Sequence, residues 1–291
     1  MKSIRDIYKT GKGPSSSHTM GPERACRLFM SEHCEAEHFQ AILHGSLALT
    51  GRGHGTDRVI RETFAPKPVE IVFQMTEDGP LKHPNTLDLT ALKAGQEIGR
   101  MRVYSIGGGD IRIEGRRADD SAPEVYPERN FAEIAGYCKA RNLRLSDFVA
   151  EREGAEIWDF LFEVWSIMCN AIQEGLTRSG TLPGGLNVER KAQYLYNQRH
   201  IDERPETREN RIVCAYAFAI SEQNADLGTV VTAPTCGACS TLPAAKTPGM
   251  LVCRLSSTTG PFVTGEISTP MPRESSFSGI RPQDSSSVSQ S

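Results

Sequence analysis

The chain has 291 residues and a formal net charge of −3, a length that fits two domains at about 100–200 residues each. Its 38% hydrophobic and 24% charged content can bury a core, and its pI near 6.2 excludes the basic footprint of a general nucleic-acid binder. No run approaches the ~18 apolar residues of a membrane span, and the first residues, MKSIRDIYKTGKGPSSSHT, contain no secretory h-region. The eight cysteines then read as reduced thiols, some of them available to a metal. Composition points to a soluble, cytoplasmic protein of mixed α/β or α+β class.

In chain order, residues 22–34 (PERACRLFMSEHC) predict a helix with Ala25, Leu28 and Phe29 on one face and Pro22 in its first turn. VEIVFQM (69–75) alternates Val69, Ile71, Phe73 and Met75, a half-buried strand. Residues 101–115 predict two short strands around the turn Gly107-Gly108-Gly109-Asp110. The polar stretch 116–128 is a candidate linker. Beyond it the period turns helical: Ile157, Phe160, Leu161, Val164, Met168 and Ile172 line one face of a helix over 155–176. A breaker-rich loop at 176–186 precedes a second helix at 209–224, and Leu242-Pro243-Ala244-Ala245 reads as the opening of another. From about Lys246 the chain is rich in Ser, Thr, Pro and Gly without sustained period, and disorder is expected there.

Three constellations carry chemistry. Gly13-Pro14-Ser15-Ser16-Ser17-His18-Thr19-Met20-Gly21-Pro22 precedes the first helix. Helix N-terminal N–H groups, joined by the hydroxyls of Ser15, Ser16, Ser17 and Thr19 and by His18, can hold a carboxylate or phosphate. On spacing alone an ordinary Ser/Thr-rich cap explains the stretch better, and the Walker lysine pattern is absent. Leu43-His44-Gly45-Ser46-Leu47-Ala48-Leu49-Thr50-Gly51-Arg52-Gly53-His54-Gly55-Thr56-Asp57 reads as a strand-like stretch entering a glycine-rich turn, then a helix beginning near Thr56 or Asp57. His54 is then at the tip of the turn, and Thr56 or Asp57 caps the following helix. An imidazole there can serve as acid, base or substrate donor; a solvated histidine on a tight turn is an equal reading. Cys236-Gly237-Ala238-Cys239 is a single CxxC, short of the four donors of a structural zinc site, and two inert buried thiols account for it as well. In His83-Pro84-Asn85-Thr86, Asn85 can hydrogen-bond a polar substrate or simply form a turn.

Together these motifs resemble the iron–sulfur L-serine dehydratases, also called L-serine ammonia-lyases. The resemblance rests on GPSSSHTMGP (13–22), GSLALTGRGHGTD (45–57), HPNT (83–86), SIGGG (105–109), GLTRSGTLPGGLNVERKA (175–192), CAYAFAISEQNA (214–225) and VVTAPTCGAC (230–239). It implies an α+β fold: a β domain over 1–120, a linker at 121–130 and a partial, all-helical α domain over 131–245. It implies conversion of L-serine to pyruvate and ammonia with a [4Fe–4S] cluster whose open iron acts on the substrate hydroxyl. Ser15, Ser16, Ser17, His18 and Thr19 are then expected to grip the carboxylate. His54 and His18 are the catalytic candidates, Thr56, Asp57 and Asn85 contact substrate, and Cys239 matches the first cluster ligand. No nucleic acid or membrane is expected as partner; a homodimer is expected by analogy.

The resemblance ends near Ala245, where the family continues with a motif of the type NASISGAEVGCQGEVG that supplies the other cluster cysteines. Residues 246–291 match nothing in the family, which a shifted reading frame or a badly predicted gene end explains. One cluster ligand of three is kept, so little or no activity is expected. Two other readings compete: a non-catalytic module binding an amino acid or small anion on the β domain, and a thiol-based metal or redox protein using Cys236 and Cys239.

Overall fold

A computed structural model describes residues 1–246 except 77–78, 117–123, 200, 202 and 234. The fold is α+β. In the first half, strand β1 (Thr10–Lys12) leads to helix α1 (Met20–Glu32) and strand β2 (His38–Leu43). Two helices follow in tandem, α2 (Gly45–His54) and α3 (Thr56–Phe64), then strands β3 (Val69–Phe73), β4 (Thr86–Lys93), β5 (Gln96–Gly107) and β6 (Asp110–Ile113). The last four strands and β2 form one sheet in the order β3-β2-β4-β5-β6, with β2 and β3 parallel and the other pairs antiparallel.

The expected helix over 22–34 and the strands at 69–75 and 101–115 are all present, with β5 longer than expected. Between β5 and β6, Gly107, Gly108 and Gly109 take φ of 100°, 59° and 79°, a left-handed run that side chains resist. The core lies between the sheet and α1 and α3. There Phe39 stacks on Phe64 at 4.3 Å between ring centroids and meets the edge of Phe29 at 6.0 Å. All three rings are fully buried, and truncating any of them to alanine costs about 3–5 kcal/mol.

The second half is helical. Helices α4 (Phe131–Arg141) and α5 (Leu145–Glu153) precede the long α6 (Ile157–Thr177), the short α7 (Ala192–Asn197) and the long α8 (Pro205–Ala225). Strand β7 (Thr229–Val231), a 3-10 turn at Cys236–Ser240 and helix α9 (Thr241–Lys246) complete the described chain. Of the expected inner face of α6, Ile157, Val164, Met168 and Ile172 are buried, and Phe160 and Leu161 are half-buried. No helix among the described residues is long and apolar enough to cross a membrane. The expected disordered tail lies outside the described residues, apart from Lys246.

The two halves are joined through β1 and β7. β1 pairs antiparallel with β7, Thr10 opposite Val231 and Lys12 opposite Thr229. The ladder extends through Gly13 N–H to the Gly228 carbonyl (3.1 Å) and Thr232 N–H to the Lys9 carbonyl (2.8 Å). Residues 124–130, expected as linker, are tied back to the N-terminus: the Val125 and Tyr126 N–H groups donate to the Met1 carbonyl at 3.0 and 3.0 Å.

Helices α6 and α8 cross at Gly175, where a β-carbon would lie 2.3 Å from the Ala219 carbonyl oxygen. Overfilling such a contact costs about 1–3 kcal/mol. Gly175→Ala is expected to lower the urea midpoint of the chain; an unchanged midpoint would show that the two helices have room to spare.

Candidate active site

The segment between β1 and α1 folds into a compact turn. His18 N–H and Thr19 N–H donate to the Ser15 carbonyl at 3.0 and 2.8 Å, Gly21 N–H to Ser16 at 2.8 Å, and Glu23 N–H to Thr19 at 2.9 Å. These amides are thus satisfied within the chain. The expected anion cradle of helix N-terminal N–H groups is not built from them, because the turn runs into α1 without a break. Thr19 is fully buried, and its hydroxyl reaches the carbonyls of Lys12 and Ser15 at 2.5 and 2.6 Å. Ser16 is buried with its carbonyl under Gly21. Both therefore shape the loop, while Ser15 and Ser17 are half-buried and His18 is buried against α2.

His18 is the centre of the arrangement. Its Nδ1 lies 3.2 Å from Ser15 Oγ and 3.0 Å from Ser17 Oγ; its Nε2 lies 3.2 Å from Ser46 Oγ and 3.0 Å from Thr50 Oγ1. The ring stacks on His54 at 4.4 Å between centroids and 30° between planes. His54 Nδ1 is 2.9 Å from the Thr50 carbonyl oxygen. Burial, reinforced by the charge of His54, pushes the His18 pKa down, and a hydrogen bond to the Ser46 backbone opposes this in part.

The segment expected as a glycine-rich turn is in fact α2, and His54 is its last residue rather than a loop tip. The chain turns immediately after it, at Gly55, with φ of 70°. Helix α3 starts at Thr56 as expected, but Gly55 occupies its N-cap and no side chain caps it. The helical form matters because it aligns Ser46, Thr50 and His54 four residues apart on one face. Sequence reasoning missed Ser46 and Thr50; their spacing from His54 was the available signal.

A cavity of about 550 Å³ opens beside this face, lined by Gly45, Ser46, Leu49, Thr50, Leu81 and Pro84 among others. The HPNT segment closes one side, held by Ser46 N–H donating to the Pro84 carbonyl at 2.7 Å. Asn85 anchors that segment: its Nδ2 donates to the Ser105 carbonyl at 3.4 Å, and its buried Oδ1 has no hydrogen-bond partner among the described residues. Thr56 is fully buried against Gly51, and Asp57 is half-buried in the first turn of α3; neither lines the cavity. A larger cavity of about 840 Å³ lies in the helical half, beside Tyr196, Arg199, Arg208 and Tyr216. Its Arg211 is already paired with Glu203 at 2.7 Å, and no histidine or cysteine lines it. Size alone favours the larger cavity; no histidine lines either one, but Ser46 and Thr50 of the smaller cavity are hydrogen-bonded to His18.

Cys236 and Cys239 sit on the 3-10 turn, both buried. Cys236 Sγ is 3.8 Å from Met20 Sδ, so the turn packs against the start of α1. Burial pushes the Cys236 thiol up to about 11, with the Ser16 backbone opposing, and pushes Cys239 to about 12, with Cys236 adding to the rise. Such thiols stay protonated at neutral pH and are poor nucleophiles. Among the described residues no three His, Cys, Asp or Glu side chains converge as metal donors.

The lowered pKa of His18 has a consequence for stability. The unfolded chain binds the proton more readily than the native chain, so stability is full above the ordinary histidine pKa and falls as pH drops through the native value. His18→Gln is expected to flatten the loss of urea stability between pH ~7.5 and ~5.5 relative to the unsubstituted chain. Parallel slopes for the two proteins would contradict the assignment.

Comparison with known proteins bears on this geometry. Residues 3–72 match the family model of the serine dehydratase beta chain, and residues 39–253 match that of the serine dehydratase alpha chain. The chain is 32% identical to an L-serine dehydratase of Streptomyces coelicolor, over 83% of this chain and 64% of the relative. It is 33% identical to an L-serine dehydratase of Haemophilus influenzae, over 84% of this chain and 65% of the relative. It is 32% identical to L-serine dehydratase 2 of Escherichia coli, over 84% and 65% respectively. The chain therefore spans just under two thirds of the length of these curated relatives. Since the alpha-chain model alone covers most of its residues, the chain belongs to the serine dehydratase family.

Proposed function

We propose that the His18–His54 site binds L-serine for an ammonia-lyase reaction, giving pyruvate and ammonia. The observation that carries this is the pair of stacked imidazoles, ringed by four hydroxyls, beside a cavity of about 550 Å³. In this reading Ser15 and Ser17 donate to the substrate carboxylate. Ser16, Thr19, Thr56, Asp57 and Asn85 complete the substrate side by shaping the loop, the start of α3 and the HPNT wall. His54, half-buried and held at Nδ1 by the Thr50 carbonyl, takes the α-proton at Nε2, while His18 stays neutral and orients the carboxylate. Loss of the α-proton and of hydroxide from Cβ gives 2-aminoacrylate, whose imine form adds water and releases ammonia and pyruvate.

Membership in the family points to a cofactor, and the reading makes it a [4Fe–4S] cluster with Cys239 as one thiolate. The residues described do not fit that group by themselves. A cubane takes several thiolates, and among the described residues only Cys236 and Cys239 lie together on one turn, with no third donor converging on them. What assists hydroxide departure is therefore not assigned to any described residue. The same reading takes residues 1–120 and 131–245 as the two domains, a homodimer as the assembly and the cytoplasm as the location, with neither nucleic acid nor membrane as partner.

Calorimetric titration of the full chain with L-serine tests the binding half. Heat is expected with the unsubstituted chain, and at least tenfold weaker binding with Ser15→Ala/Ser17→Ala. No heat, or equal affinity for both proteins, overturns the assignment. A pyruvate assay after anaerobic treatment with iron and sulfide tests the donor set. Pyruvate is expected at or near background; turnover in the ordinary enzyme range of about 1–10³ s⁻¹ would contradict the reading that these thiols are insufficient.

A further inference from the structure

Thr50 makes two contacts that together decide where protons sit on both histidines. Its hydroxyl has a single hydrogen, and the Ser46 carbonyl at 2.8 Å, one turn back along α2, is a fixed acceptor for it. At 3.0 Å from His18 Nε2 the same oxygen is then left only as an acceptor. An acceptor facing Nε2 requires an N–H there. The backbone carbonyl of Thr50, 2.9 Å from His54 Nδ1, likewise accepts and cannot donate. His54 must therefore carry its hydrogen on Nδ1.

We propose that Thr50 is the positioning residue of the site: through its hydroxyl and its carbonyl it sets opposite tautomers on the stacked pair, His18 protonated at Nε2 and His54 at Nδ1. The other hydroxyls around His18 do not make this choice. Ser46 Oγ can accept from Nε2 or donate to it, and Ser15 and Ser17 have the same freedom at Nδ1. Among these hydroxyls only that of Thr50, with its hydrogen on the Ser46 carbonyl, distinguishes the two nitrogens; the Ser46 backbone also hydrogen-bonds to His18.

The arrangement has two effects on the chemistry. His54 is left with its lone pair on Nε2, the nitrogen not held by the helix, where it can accept a proton. His18 is left with its lone pair on Nδ1, where it accepts one hydrogen from Ser15 or Ser17. The second of these hydroxyls, 3.3 Å from the first, can turn its hydrogen to that neighbour or to an anion. These consequences rest on the L-serine reading; the tautomers themselves do not.

The test is histidine-nitrogen NMR of the full chain labelled with ¹⁵N-histidine, above the pH at which either ring is charged. Assignments come from the loss of signals in His18→Gln and His54→Gln. One Nε2–H form for His18 and one Nδ1–H form for His54 are expected. Thr50→Val removes the hydroxyl from an exposed position of α2 while keeping the shape and the carbonyl. It is expected to leave His54 unchanged and to give His18 a mixture of both forms. Thr50→Ser is expected to restore the single form. His18 on Nδ1 in the unsubstituted chain, or an unmixed Nε2–H form in Thr50→Val, overturns the proposal. L-serine titration of the same variants separates the two ideas. Weaker binding in Thr50→Val with recovery in Thr50→Ser supports the catalytic consequence. Unchanged binding with altered tautomers overturns that consequence alone.

Discussion

One imidazole, His18, is gripped at both nitrogens by hydroxyls from two separate segments, the 13–19 turn and helix α2. A ring held at only one nitrogen can swing; a ring held at both, and stacked on a second ring, has one orientation. That orientation requires the turn to stay in place, and the turn is fixed by the joint between the two halves of the chain. The β1–β7 ladder holds one end. Gly13 lies so close to α8 that a β-carbon would come within 2.2 Å of the Asn224 carbonyl oxygen. The Cys236 turn packs on Met20 at the other end. The geometry of the histidine pair thus depends on residues more than 200 positions away in sequence.

This dependence explains which parts of the fold were legible in the sequence. Helices α1, α6 and α8 have long apolar periods, and β3 and the β5–β6 hairpin have alternation and a glycine turn, so local pattern suffices for them. Strands β1 and β7 are three residues each, and their pairing has no local signal at all. Strand β4 alternates buried Leu87, Leu89 and Ala91, a period-2 signal overlooked beside the HPNT turn. Helix α4 likewise begins with a readable cap, Asn130 Oδ1 accepting from Glu133 N–H at 3.0 Å.

The largest departure is α2. Four glycines in eleven residues, Gly45, Gly51, Gly53 and Gly55, argue for a turn on propensity alone. Tertiary packing overrides that preference. Leu47, Ala48 and Gly51 form the buried face, and at Gly51 a β-carbon would already be 3.3 Å from Thr56 and 3.5 Å from Phe73. Glycine there gives close approach between elements rather than a break. Of the site residues, His18, His54, Ser15 and Ser17 were legible because their types announce chemistry. Ser46 and Thr50 became visible only once the segment was seen to be helical. Thr19 and Ser16, equally suggestive by type, turn out to hold the loop.

The central claim is that L-serine occupies the cavity beside the histidine pair and not the larger one beside Tyr196. Hydrogen–deuterium exchange of the full chain, with and without saturating L-serine, tests it most directly. The account predicts added protection in peptides covering residues 13–20, 45–54 and 79–86, with none over 194–212. Protection confined to 194–212, or no change at 13–20 and 45–54, would contradict it.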